Sequence, residues 1–357
     1  MNRLPATPTN LWSVTPQRRG RRLALYVGGG LSAVAVGGSG ALWGVMYAET
    51  KLAKRRIPIA VDPPPVSHDT TWAAAGVSRT RPPIRIAMLG DSTAAGYGVH
   101  RDRDTPAAQI AIGISEAARR PVHVTNVAVV GAESPELLPQ LTALGRARPE
   151  LAIVMIGAND VTELTKPSVA VPFLEDTVRA LRVLGAEVVV GTCPDLGTIR
   201  PLAQPLRAYA RRLSRRMAKE QTVAVVRAGG RTVSLGDLLG PLFMTNLEFF
   251  SEDQFHPSAA GYAEAAAAVL PSALDALGLR TRARSASPFT TRRVKPVARA
   301  AAQAVAHPGT EVAGAERFGR SENRSGPLAQ LRRRLPRRRG PALSPETAVP
   351  ISRAPAP

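Results

Sequence analysis

The chain has 357 residues, 44% of them hydrophobic, and a formal net charge of +20. Residues 1–56 hold nine Lys/Arg against one Glu and residues 280–357 hold seventeen against four, so the stretch between them carries a net charge of −1. A nearly neutral middle with basic appendages makes nucleic acid an unsuitable partner, because a nucleic-acid enzyme carries its basic patch on the folded domain, and it leaves enough chain for one α/β domain.

A basic N-terminal segment, 1–22, leads into residues 23–48, which carry no charge and are bracketed by Arg18, Arg19, Arg21 and Arg22 before and Lys51, Lys54, Arg55 and Arg56 after. That length suits one bilayer crossing. A cleaved signal peptide is the competing reading, but Met46-Tyr47-Ala48 lacks the small residue wanted at the first of those positions. We therefore expect a transmembrane anchor with the N-terminus inside and the folded domain in the cell envelope, or a secreted protein if the segment is cleaved. Residues 49–83, with Pro58, Pro63, Pro64, Pro65, Pro82 and Pro83, read as a linker holding the domain off the membrane.

From Ile84 to residue 279 short apolar runs alternate with helical patterns. Ile84 to Leu89, Val122 to Val130, Leu151 to Ile156, Glu187 to Val190 and Val223 to Val226 read as strands of a parallel sheet covered on both faces. Between them, Ser134-Pro135 offers a helix cap ahead of Leu137, Leu138, Leu141 and Leu144. Leu174, Val178 and Leu181 form a second stripe, and Leu206, Tyr209, Leu213 and Met217 a third. The arginines around that third stripe read as a solvated face. A last helix spans about Gly261 to Leu277. Such alternation predicts a three-layer αβα domain with its site at the carboxyl ends of the strands. Residues 280–357 lose this periodicity and contain six Arg between Arg332 and Arg339, which predicts a disordered tail. Electrostatic contact with anionic lipid or polymer and simple solvation fit that tail about equally.

The chemistry-bearing residues fall at the predicted strand ends: Gly90-Asp91-Ser92, then Gly131, then Gly157-Ala158-Asn159-Asp160, and late in the chain Asp253-Gln254-Phe255-His256. A serine hydroxyl needs a neighbouring base, and an imidazole serves best when a carboxylate fixes its tautomer. His256 is the one histidine with an acid three residues upstream, so Ser92 reads as nucleophile, His256 as base and Asp253 as its orienting group. His100, close after Ser92, is the rival base; His68, His123 and His307 read as linker, strand and tail residues. The backbone N–H groups of Ser92 and Gly131 and the amide of Asn159 could form an oxyanion hole, Gly131 because a residue without Cβ allows close approach. Cys193, the only cysteine, excludes an internal disulfide and reads as a small core residue. The segment Leu242 to Phe250 holds three of seven Phe and reads as core packing ahead of an acyl pocket.

These four blocks resemble the SGNH hydrolase superfamily, the GDSL-like esterases and lipases, in Ser92, Gly131, Asn159 and His256. The resemblance covers residues 84 to about 279 and implies a flavodoxin-like αβα fold and metal-free, cofactor-free hydrolysis of esters, with the five residues in the roles just given. Thr93 stands where the GDSL name has Leu, which touches the subfamily rather than the chemistry. The expected substrate is an acyl ester of a lipid or of an acylated envelope glycan. The alternatives are an O-acyltransferase using the same triad and a non-catalytic, membrane-tethered interaction protein, which would not require all five residues.

Overall fold

The structure is a computed structural model that describes residues 69–199, 201–236, 247–279, 295–307, 309–315 and 328–332, together with Gly44, Glu49, Leu52, Pro64 and Pro65. The expected anchor (23–48, Gly44 apart), most of the linker before residue 69 and the five arginines of the basic stretch that follow Arg332 lie outside the described residues. Among the described residues, no helix is long and apolar enough to cross a membrane.

Five parallel strands form the centre of the sheet: β2 (Ile84–Gly90), β3 (Val122–Asn126), β4 (Leu151–Met155), β5 (Glu187–Gly191) and β6 (Arg231–Val233), ordered β3-β2-β4-β5-β6. Alternate side chains of one strand feed opposite layers. Ile86 and Met88 join a core closed by α2 (Pro106–Ala118) and α7 (Ala259–Ala276). Ala87 and Leu89 join the other, under α3 (Leu137–Ala143), α5 (Pro167–Val183) and α6 (Leu206–Arg227). Two short helices, α1 (Ser92–Ala95) and α4 (Ala158–Thr162), start directly after β2 and β4. The winding reverses at β2, whose neighbours β3 and β4 lie on either side, and in such sheets the strand ends at the reversal open a crevice.

The sheet is mixed, not all parallel. In the expected linker, β1 (Asp69–Trp72) pairs antiparallel with β3. At the other edge, β8 (Glu311–Ala315) pairs antiparallel with β6, β9 (Leu328–Arg332) with β8, and β7 (Lys295–Pro296) with β9. Disorder from residue 280 onward is therefore not found for these segments or for α8 (Val297–Val305), which packs on α6. Small alanines hid this helix in the sequence: Val297, Ala300 and Ala304 join Val226 and Val312 in a core of their own.

The same packing corrects a second expectation. Val223 to Val226 are the end of α6, and the strand that follows is Arg231–Val233. Val225 faces the sheet core and Val226 the α8 core, so the helix is apolar on two sides and loses the one-sided stripe by which a surface helix is recognised. The Ser134 cap also differs. The N–H of Glu133 donates to Glu136 Oε2 (2.8 Å) at the start of the turn, and the Ser134 hydroxyl points elsewhere.

Candidate functional site

Ser92 opens α1 at the end of β2. The preceding Asp91 caps that helix, its Oδ1 accepting the Thr93 N–H at 2.9 Å. Gly90 makes the turn with φ of 136°, and a Cβ there would lie 1.8 Å from the Met155 carbonyl oxygen, so no other residue fits without moving β4.

The histidine arrives from the far end of the chain. Ser258 caps α7 through its hydroxyl, and the preceding loop is closed by the Ser251 N–H to the His256 carbonyl (2.8 Å) and the Ser258 N–H to Phe249 (2.8 Å). The buried Tyr262 hydroxyl ties α7 to the serine's own loop by donating to the Tyr97 carbonyl at 2.7 Å. These ties bring His256 Nε2 to 2.9 Å from Ser92 Oγ, across 164 residues of chain. On the other side of the ring, Nδ1 lies 2.6 Å from Asp253 Oδ2. The rings of Tyr97 and Phe255 flank the imidazole edge-on at 4.6 and 4.8 Å between centroids. Ser92 and Asp253 are buried, and His256 keeps only a narrow opening to solvent.

Two carboxyls of the site are shifted in opposite directions. Burial works to raise Asp253, but hydrogen bonds from His256, Ser251 and the backbone of His256 and Phe255 outweigh it and bring the group down to about 2. A carboxylate facing Nδ1 keeps the proton on that nitrogen and leaves Nε2 free to accept from Ser92. Asp91 goes up to about 6, because desolvation outweighs its bond from Thr93 and the attraction of His256.

The loops carrying Gly131 and Asn159 flank Ser92, since they follow β3 and β4. The Val129 N–H donates to Gly90 O (3.1 Å) and the Asp91 N–H to Met155 O (3.0 Å), pinning both loops to the serine's strand. The two loops also hold each other. Asn159 Nδ2 donates to Ala132 O at 2.9 Å, and the Ser134 hydroxyl (2.9 Å) and N–H (3.1 Å) both donate to the buried carboxylate of Asp160. Thr165 donates to Glu133 at 2.9 Å. One amide hydrogen of Asn159 thus fixes the carbonyl of Ala132, the residue after Gly131, and the second remains for a ligand. Gly131 itself is exposed, with φ of 83° and open space where a Cβ would stand.

The structure therefore brings together Ser92, His256 and Asp253, with Gly131 and Asn159 on the adjoining loops. His100 is exposed, His123 hydrogen-bonds with Thr71 on β1, His307 is exposed, and His68 lies outside the described residues. Cys193 is buried and its thiol pushed well up by desolvation, as befits a core residue. Phe250 is a core residue as well, while residues 242–246 lie outside the described residues. Among the described residues, no three His, Cys, Asp or Glu side chains converge to hold a metal ion. Tyr262 and Gln140, whose amide pairs with Gly90, are parts of the site that the sequence did not single out, and Asp160, named there with Asn159 at a strand end, was given no role.

Residues 88–264 match the GDSL-like lipase/acylhydrolase family. A GDSL-like esterase of Mycobacterium tuberculosis is 39% identical over 263 residues, covering 71% of this chain and 83% of the relative. Among solved structures, an acetyl-xylooligosaccharide esterase from Geobacillus matches with a TM-score of 0.44 at 15% identity, over 58% of this chain and 99% of that one. An extracellular lipase from Streptomyces rimosus matches with a TM-score of 0.41 at 16% identity, over 54% and 99%.

Proposed function

The chain belongs to the GDSL-like lipase/acylhydrolase family, and from that premise we propose that it hydrolyses carboxylic esters through an acyl-enzyme on Ser92. The observation that carries this reading is the continuous hydrogen-bond line Ser92 Oγ, His256 Nε2, His256 Nδ1, Asp253 Oδ2, with distances of 2.9 and 2.6 Å at its two links. In the first half-reaction Ser92 Oγ attacks the ester carbonyl carbon while its proton passes to Nε2, and the carbonyl oxygen becomes an oxyanion. In this reading the N–H groups of Ser92 and Gly131 and the second amide hydrogen of Asn159 receive that charge, a role supported by the loops after β3 and β4 being bonded to the serine's strand. Collapse breaks the bond to the alcohol oxygen, which takes the proton from Nε2 and leaves. Water then repeats the sequence on the acyl-enzyme, giving the carboxylic acid and restoring Ser92. Asp253, held ionised, stabilises the imidazolium at both stages.

An aliphatic acyl group is supported by exposed apolar residues that lie near Gly131 and Asn159 along the chain. Val129, Val130, Leu138, Leu164 and Val169 are exposed large hydrophobic residues, and they sit on the loops after β3 and β4 or the helix starts just beyond. The alcohol side can be a lipid or an acylated glycan, and a sugar hydroxyl in place of water would make the same acyl-enzyme an acyltransferase. The uncharged segment 23–48 supports a membrane anchor with this domain in the cell envelope, and the arginines after Arg332 a contact with anionic lipid or polymer.

The test is turnover of a nitrophenyl ester series by the full chain, with and without a saccharide acceptor, alongside Ser92→Ala. Activity that disappears in that variant while the melting temperature holds is the expected result; unchanged turnover refutes the nucleophile. Acyl saccharide among the products would identify the transferase.

A further inference from the structure

We propose that Gln140, on α3, is a positioning residue for Ser92, and this inference rests on the esterase reading above. Gln140 is buried and bonds in two directions at once to the last residue of β2: the Gly90 N–H donates to Oε1 at 2.8 Å, and Nε2 donates to the Gly90 carbonyl at 2.9 Å. One side chain thereby fixes the peptide group before Gly90 and the one after it. Those two groups set the direction in which Asp91 and Ser92 leave the sheet.

The position calls for help from outside. A parallel strand is held by its neighbours, but β3 ends at Asn126, and beyond it the chain follows β2 only through two donors, the Val127 N–H to Met88 O (2.9 Å) and the Val129 N–H to Gly90 O. Gly90 cannot carry a side chain to brace itself, given the Met155 oxygen where its Cβ would be. The Gln140 carboxamide supplies an acceptor for the Gly90 N–H and adds a second donor to the Gly90 carbonyl, so it braces both peptide groups at the end of the strand. The same Gly90 carbonyl also accepts the Val129 N–H (3.1 Å), so Gln140 acts at a node joining the serine's turn to the loop that carries Gly131. A primary amide buried among Leu137, Leu144 and their neighbours is costly unless both its ends are satisfied, and here both are. Rotation of Gly90 would shift Ser92 Oγ relative to His256 Nε2 and tilt the Ser92 N–H together. A displacement of about 1 Å at a reacting atom lowers rates on the order of a hundredfold.

The experiment compares full-chain wild type, Gln140→Leu and Gln140→Glu in two measurements. One is the rate of phosphonylation of Ser92 by a nitrophenyl alkylphosphonate, followed by nitrophenol release and intact mass. The other is kcat and KM on a nitrophenyl ester. In folded Gln140→Leu, labelling rate and kcat should fall together by about thirtyfold or more while KM stays within about threefold. Gln140→Glu supplies the readout that a filler of space would not move. A protonated carboxyl offers the same acceptor and donor as the amide, whereas a carboxylate cannot donate to the Gly90 carbonyl. Its labelling rate relative to wild type should therefore rise about tenfold as pH is lowered from about 9 to about 5. A flat ratio overturns the proposal, as does folded Gln140→Leu within about twofold of wild type; should the leucine variant not fold, the ratio alone decides. Wild type that acquires no label at Ser92 brings down the esterase reading itself, an outcome distinct from labelling that ignores position 140.

Discussion

Asp253 grips His256 at two places: Oδ2 lies 2.6 Å from the ring Nδ1, and Oδ1 accepts the His256 backbone N–H at 2.9 Å. Oδ1 also accepts from the Ser251 hydroxyl and the Phe255 N–H. The two oxygens are therefore not equivalent, and this settles what an isosteric substitution does. In Asp253→Asn the remaining oxygen belongs where three donors converge, which turns the amide NH2 toward Nδ1. The ring then carries its proton on Nε2 and cannot accept from Ser92. We expect kcat on a nitrophenyl ester to fall by about four orders of magnitude, with KM little changed. A loss below tenfold would show that the ring keeps its tautomer without the carboxylate.

Asp253 also predicts acid sensitivity. Its folded value of about 2 lies below the ordinary 3.8, so the folded state binds fewer protons. The stabilisation is complete above the unfolded value and fades as pH falls through about 4 toward 2. Asp253→Asn should lose this part of the dependence in denaturant melts over that range.

Asp91 acts with the opposite sign. Its folded value is about 6 against an ordinary 3.8, so the folded state binds more protons over that interval and stability declines as pH rises from about 4 through 6. Asn keeps an oxygen for the Thr93 N–H and removes the buried charge. Asp91→Asn should therefore be more stable than wild type above pH 7, by on the order of 3 kcal/mol, with the gain vanishing near pH 4. It should also slow turnover, because the carboxylate attracts the imidazolium formed in the reaction. Equal stability of the two proteins at pH 8 would contradict the burial cost assigned to Asp91.

Truncation after residue 279 tests the second core. Removing α8 and β7 to β9 strips the cover from Val226 and the antiparallel partner from β6. With about 1.5–3 kcal/mol for each large aliphatic side chain returned to water, the shortened chain should lose about 3 kcal/mol and roughly 10 °C in melting temperature. Identical melting curves would mean that the described part of the tail contributes nothing to the domain.

Most of the candidate site could be read from the chain because its parts are local. Gly90-Asp91-Ser92 and Gly157-Ala158-Asn159-Asp160 follow apolar runs whose length marks strands, and the three-residue step from Asp253 to His256 lets one turn join carboxylate and ring. The parallel centre of the sheet follows from the same alternation.

Other features have no local signature. The Gln140 amide meets Gly90 across 50 residues and the Ser134 hydroxyl meets Asp160 across 26, and a hydrogen bond between distant groups leaves no spacing to recognise. The segment 223–226 is a helix because α8 covers its outer side, which erases the one-sided pattern that hydrophobic periodicity depends on. The antiparallel strands β1 and β8 exist because the neighbours β3 and β6 offer unpaired backbone groups, and β9 because β8 does in turn. Order along the chain thus determined the chemistry and the strands that carry it. Which groups brace that chemistry, and which weakly patterned segments join the sheet, was decided only when folding brought distant surfaces together to exclude water.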